Sequence, residues 1–120
     1  MIDFDEIDEI ADDLKVELTE ERLKYLDVLR ARNLACIVSG IPCSGLEKDN
    51  PKALCARLLI MTYLVDKGLA DNEVTKACGI PKKDWVLHWD RYVRLKSRSK
   101  GFRDIEDSFL KKISLCCAKI

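Results

Sequence analysis

Glycine, proline and histidine are scarce in this chain, with five, three and one among 120 residues, and each scarcity closes off a class of function. No phosphate-cradling glycine loop and no glycine-flanked serine elbow is present, so the motifs that announce nucleotide hydrolysis or acyl transfer are missing. One histidine and the lack of a Cys-x-x-Cys pair leave no familiar zinc spacing. Apolar runs are short, such as residues 34–38 and 58–61, against the roughly 20 residues that cross a bilayer. The start, Met1-Ile2-Asp3-Phe4-Asp5-Glu6, lacks the basic opening and apolar stretch of a secretory signal. A cytoplasmic location is therefore expected, with the six cysteines at 36, 43, 55, 78, 116 and 117 held as thiols. Runs of alternating β-branched residues are absent too, which argues against strands.

What remains is a chain with 48% hydrophobic and 35% charged residues, apolar enough to fold and too apolar for wholesale disorder. Its length suits a single domain. Net charge is zero, yet residues 1–50 hold 13 acids and 6 bases, net −7, and residues 51–120 hold 8 acids and 15 bases, net +7. Such asymmetry within one chain points to a charged partner.

Apolar residues recur at spacings of three and four throughout, the helical period. Phe4, Ile7, Ile10 and Leu14 predict an amphipathic helix over 3–16 with a strongly acidic outer face. Thr19 caps a second helix whose buried stripe runs through Leu23, Leu26, Leu29 or Arg30, Leu34 and Ile37 or Val38, ending before Gly40. Residues 39–50 carry turn formers, and Pro51 behind Asn50 restarts a helix bearing Leu54, Leu58, Met61 and Val65 that stops at Gly68. Further helices are predicted over 71–78, about 82–97 and about 104–118. The expected fold is all-α, a compact bundle of about five to six helices.

Residues 71–96 carry the parts of a helix-turn-helix: a short capped helix, a glycine at the turn, an apolar residue behind it and a second helix. Val74 and Ala77 are expected to pack inward, Gly79 to turn the chain, Ile80 to plug the corner, and Trp85, Trp89 and Val93 to form the inner face of the second helix. Eight bases against Asp84 and Asp90 make residues 82–103 net +6, a phosphate-seeking stretch. The candidate DNA-contacting residues are Lys82, Lys83, Asp84, His88, Arg91, Arg94, Lys96, Arg98, Lys100 and Arg103. Lys82 and Lys83 are placed at the start of the second helix, where with Asp84 they are the choice for base discrimination, and the arginines follow the backbone. His88 has no neighbouring nucleophile and acid to make it a catalyst. Buried thiols are expected at Cys36, Cys55 and Cys78, and a redox role for Cys116 and Cys117 is the lesser reading.

Three groups of residues then form a familiar order: Ala35-Cys36-Ile37-Val38-Ser39-Gly40-Ile41-Pro42-Cys43-Ser44, Met61-Thr62-Tyr63-Leu64-Val65, and Glu73-Val74 followed by Arg91-Tyr92-Val93-Arg94-Leu95. Over about residues 34–96 the chain resembles the PapB-type regulators of bacterial adhesin (fimbrial) operons. The resemblance implies a helical transcription regulator that binds operator DNA as an oligomer; the target sequence does not carry over, because Ile80-Pro81-Lys82-Lys83-Asp84-Trp85 departs from the family's pattern.

The sequence thus reads as a small regulator whose region 51–103 binds double-stranded DNA through the helix-turn-helix (71–96) and a basic helix (82–103), as a dimer or higher oligomer. Residues 1–38 offer an association or partner surface, and 104–120 form a C-terminal helix. Neither catalysis nor a cofactor is expected. The rival reading, from a different class, is a protein-interaction module such as an adaptor, chaperone or anti-regulator, in which the opposite charges dock subunits or a partner.

Overall fold

The computed structural model describes the backbone of residues 20–118 and the side chains of residues 25–115. The helix expected over 3–16, the Thr19 cap and the side chains of Leu23, Cys116 and Cys117 lie outside the described residues. Within them the chain is all-α: α1 Glu20–Ser39, α2 Pro51–Asp66, α3 Asp71–Cys78, α4 Trp85–Arg98 and α5 Lys100–Ala118, with 3-10 turns at Cys43–Gly45 and Lys82–Asp84. No helix among the described residues is long and apolar enough to cross a membrane.

The core forms around α2. Asn50 stands in extended conformation and its side chain accepts the Ala53 N–H at 2.8 Å, while Pro51 occupies the first helical position, where no N–H is needed. Beyond that cap the helix is wrapped by its neighbours, and Ala56 to Met61 are buried without interruption. A stripe of Leu54, Leu58, Met61 and Val65 describes only part of it, since Leu59, Ile60 and Leu64 are fully enclosed while Leu54 and Val65 are only partly buried.

α1 corrects the expected stripe. Its packed face carries Val28, Ala31, Ala35 and Val38, with Cys36 and Leu34 beside them, while Leu26 is exposed and Ile37 is 66% exposed. Ala31 and Ala35 retain no accessible surface; small side chains let α1 lie close against α2, and that closeness turns the larger residues outward. On the other flank Tyr63 meets Phe109 edge-on at 5.8 Å, joining α2 to α5. The α5 face of Phe102, Phe109 and Ile113 is buried.

The turn between α3 and α4 follows the sequence closely. Val74, Ala77 and Ile80 are buried, and Gly79 takes φ +70° with Ile80 N–H donating to the Thr75 carbonyl at 3.0 Å, a helix end that L side chains resist. A Cβ on Gly79 would also stand 2.7 Å from the Glu47 side chain. That glycine is therefore required twice, for its dihedral angle and for the loop lying on it.

Two boundaries differ from expectation. α4 begins at Trp85, so Lys82 and Lys83 belong to the tight turn ahead of the helix. α5 begins at Lys100, because Ser99 is extended and its Oγ accepts the Phe102 N–H at 3.1 Å, capping a new helix. The basic stretch 82–103 is thus a turn, a helix and the first turn of another.

Candidate nucleic-acid interface

α4 presents two unlike faces. Inward, Trp85, Trp89 and Tyr92 stack edge-on in sequence, with ring centroids 5.8 and 6.0 Å apart, and Tyr92 continues to Phe102 of α5 at 5.8 Å. Val93 does not continue that face and is 62% exposed. The reason is geometric: each step of four residues overshoots a turn by about 40°, so two steps from Trp85 carry the chain about 80° away from the core. Tyr92, seven residues from Trp85, returns to it.

Outward, Leu87, Arg91, Arg94 and Arg98 recur at spacings of four, three and four and so share one exposed face. Lys82 and Lys83 are exposed in the turn at its head. Among the described residues, Lys82, Lys83, Arg91, Arg98 and Lys100 form no ion pair. Arg94 meets Asp90 at 3.2 Å, with both side chains more than half exposed, a contact of small worth that leaves the guanidinium available.

Three of the sequence candidates are engaged by other groups of the chain, Lys96 and Arg103 while exposed and His88 while buried. Lys96 pairs with the buried carboxylate of Glu106, which also accepts the Tyr92 hydroxyl at 2.7 Å. The hydrogen bond from Lys96 to Glu106 holds the ammonium above its ordinary pKa, and burial, with the Glu106 contact adding to it, pushes the Tyr92 phenol up. Arg103 donates to the Lys96 carbonyl at 2.9 Å. His88 is 5% exposed.

The partners of His88 fix its chemistry. A carbonyl only accepts, so the contact of Nδ1 with the Asp84 carbonyl at 2.8 Å places a proton on Nδ1. Nε2 then accepts from Arg57 Nε at 3.2 Å, and the imidazole is neutral. Arg57, 7% exposed in the middle of α2, also donates through Nη1 to the carbonyls of Leu46 at 2.7 Å and Lys48 at 2.9 Å. Burial pulls its guanidinium below the ordinary pKa, Asp49 opposing and Arg91 adding to the effect.

Arg57 thereby ties the 46–48 loop to α4, and a cleft of about 800 Å³ opens beside it, lined by Asp49, Arg57, Lys82, His88 and Arg91 among others. Charges of both signs face this cleft, and Lys82 and Arg91 border both it and the exposed face of α4. Sequence reading missed Arg57. Its signal was a lone arginine within the apolar run Ala53-Leu54-Cys55-Ala56-Arg57-Leu58-Leu59-Ile60-Met61, where an unpaired charge has no place.

Cys36 and Cys78 are buried and Cys55 is half-buried, while Cys43 is exposed; all four are free thiols. Burial pushes Cys36 and Cys78 up to about 12, which withholds the thiolate that nucleophilic or metal chemistry needs. Among the described residues no group of three or more His, Cys, Asp or Glu side chains is placed to hold a metal ion. No protein-family model, no curated protein and no solved structure matches the chain.

Proposed function

We propose that this chain is a small helical regulator that binds double-stranded DNA, acting in the cytoplasm and as a dimer or higher oligomer. The observation that carries the reading is the outer face of α4: Arg91, Arg94 and Arg98 in one row, with Lys82 and Lys83 ahead of it, exposed and almost without carboxylates. Five cations along one edge suit a phosphate backbone, which rewards each with counterion release. In this reading α3, the Gly79 turn and α4 act as a helix-turn-helix. Oligomerisation would set two α4 helices on half-sites about one DNA turn apart.

A specific observation favours the interaction module as second reading. Val86, 77% exposed, and Val93 stand beside the basic row on α4, at the spacing of one helix face. Exposed valines flanked by cations suit an acidic, apolar protein partner as well as they suit thymine methyl groups.

Fluorescence anisotropy with random-sequence duplex DNA over a salt series separates the two. DNA binding predicts a log–log salt slope of about −4 to −5 for about five phosphate contacts, lost when Lys83, Arg91 and Arg98 are changed to Glu. Reversal of Lys96 and Arg103, which serve the fold, should not substitute for it. Absence of binding at low salt by the full chain rejects the DNA reading and leaves the module.

A further inference from the structure

The chain turns back on itself just after α1. Gly40, at φ +74°, lets Ile41 N–H reach the Cys36 carbonyl at 3.0 Å, and the 3-10 turn Cys43–Gly45 follows at once. The return brings Cys43 against the flank of the helix the chain has just left. Its thiol donates to Asn33 Oδ1 at 3.4 Å, and Asn33 stands one turn before Cys36 on α1. The Cys43 thiol also comes within hydrogen-bonding reach of the Cys36 thiol. Two free thiols from the end of a helix and the turn beyond it thus meet in the fold.

The two are unequal, for Cys36 is 1% exposed while Cys43 is open to solvent. Cys43 borders a polar depression of about 260 Å³, with Arg32 and Lys76 on its wall against the carboxylate of Glu47. Among the described residues neither base forms an ion pair. An exposed thiol beside unpaired cations is where an oxidant acts first.

Burial raises the Cys36 thiol to about 12, the Cys43 contact adding to it and Arg32 opposing, so Cys36 is slow to react with a molecule arriving from solution. A neighbour already in contact is a different case, because proximity replaces access. Pro42, Cys43 and Ser44 are exposed, so the turn, and not the core around Cys36, takes up the approach to the roughly 2.05 Å of a disulfide.

We propose that Cys36 and Cys43 form an oxidation site, at which a hydroperoxide converts Cys43 to its sulfenic acid and Cys36 then closes a disulfide onto it. With hydrogen peroxide, the Cys43 sulfur takes one oxygen, the O–O bond breaks, and the departing hydroxide leaves as water with the thiol proton. The Cys36 sulfur next displaces the oxygen: the S–S bond forms, the S–O bond breaks, and the hydroxide takes the Cys36 proton to leave as a second water. The two thiols are oxidised together and the peroxide is reduced to water. A thiol reductant reverses the bridge, as befits a transient, redox-sensing disulfide. The assignment is independent of whether the outer face of α4 binds DNA.

Trypsin cleaves after Arg32 and Lys48, so residues 33–48 leave as one peptide that holds Cys36 and Cys43 and no other cysteine. The test treats the reduced, folded full chain with hydrogen peroxide, quenches it, alkylates it with iodoacetamide under denaturing conditions and reads that peptide by mass spectrometry. The expected product is the peptide lighter by two hydrogens with neither cysteine alkylated, and dithiothreitol before alkylation should restore the doubly alkylated form. Cys43→Ser, a change at an exposed position, should slow the loss of the Cys36 thiol at least about tenfold, since a buried thiol raised to about 12 is by itself a poor target. Two alkylated cysteines after peroxide, an oxygenated Cys43 beside an alkylated Cys36, or linkage to a different peptide overturns the pair. Equal loss of the Cys36 thiol in Cys43→Ser overturns Cys43 as the point of entry.

Discussion

Gly79 carries more of the proposed interface than any cation does, because it sets where α4 leaves α3. Replacing it with Ala forces a side chain into φ +70° and into Glu47, and about 1–3 kcal/mol of stability should be lost for the backbone part alone. Urea unfolding of Gly79→Ala and of Gly79→Ala with Glu47→Ala separates the terms: the second change should recover the collision and leave the dihedral cost. Full recovery would show that the dihedral contributes nothing. Cys78 gives a second residue-scale expectation, in pH. Its thiol is raised from 9.0 to about 12 by burial, so below pH 9 folded and unfolded chains both keep the proton and stability is unaffected. Above it the unfolded chain releases the proton first, and stability falls as pH climbs toward 12. The difference between urea midpoints at pH 7 and 10.5 should therefore shrink in Cys78→Ala without vanishing, since Cys36 is raised as well; an equal alkaline loss in both chains would remove Cys78 as a source.

Between elements, one carboxylate is the polar centre of the α4–α5 contact, beside the Tyr92–Phe102 ring pair and the Arg103 hydrogen bond to the Lys96 carbonyl. Glu106 is buried and held from α4 by both Tyr92 and Lys96, and α5 itself starts only because Ser99 caps it. Lys96→Met leaves that carboxylate with the tyrosine alone. Since half of the Lys96 side chain faces solvent, the loss should be about 1–3 kcal/mol, below the cost of breaking a fully buried pair. Glu106→Gln keeps a partner for Tyr92 and removes the charge that needs Lys96, so it should cost less. Thermal unfolding of the two variants decides the matter, and a costlier Glu106→Gln would mean that the charge itself stabilises the junction. Two cations counted with the DNA set thus bridge the last turn of α4 and α5, Lys96 through Glu106 and Arg103 through the Lys96 carbonyl.

For the molecule as a whole, the division of the basic residues into two groups has a measurable consequence. Reversing Lys83, Arg91 and Arg98 should change the unfolding free energy by no more than about 0.5 kcal/mol per substitution, as exposed substitutions do, while removing DNA retention under the proposed function. Reversing Lys96 and Arg103 should lower stability first. If the two sets lowered stability equally, the outer face of α4 would be part of the fold and unavailable to a partner. The core reaches every described helix through α2, so neither set is insulated from the other by a domain boundary; what separates them is the side of α4 on which they stand.

Local signals settled most of the helices: Asn50 with Pro51 started α2, Gly40, Gly68 and Gly79 ended α1, α2 and α3 at positive φ, and the three- and four-residue spacing excluded strands. These depend on groups a few residues apart, which a sequence displays directly. Ser99 shows the same principle overlooked, since its capping hydroxyl lies within three residues of its partner. Which face of a helix is buried is a different matter, because it depends on what arrives from elsewhere in the chain. Large residues drew attention to Leu26 and Ile37, yet close approach to α2 selected Ala31 and Ala35; Val93 read as core until the drift of α4 carried it outward. The candidate interface divided for the same reason. Its cations were legible as composition, but Glu106, ten residues beyond Lys96, and Arg57, 31 residues before His88, decided which basic and titratable side chains remain for a partner. Charge is a property of the sequence, whereas availability of charge requires tertiary structure to bring the competing groups together.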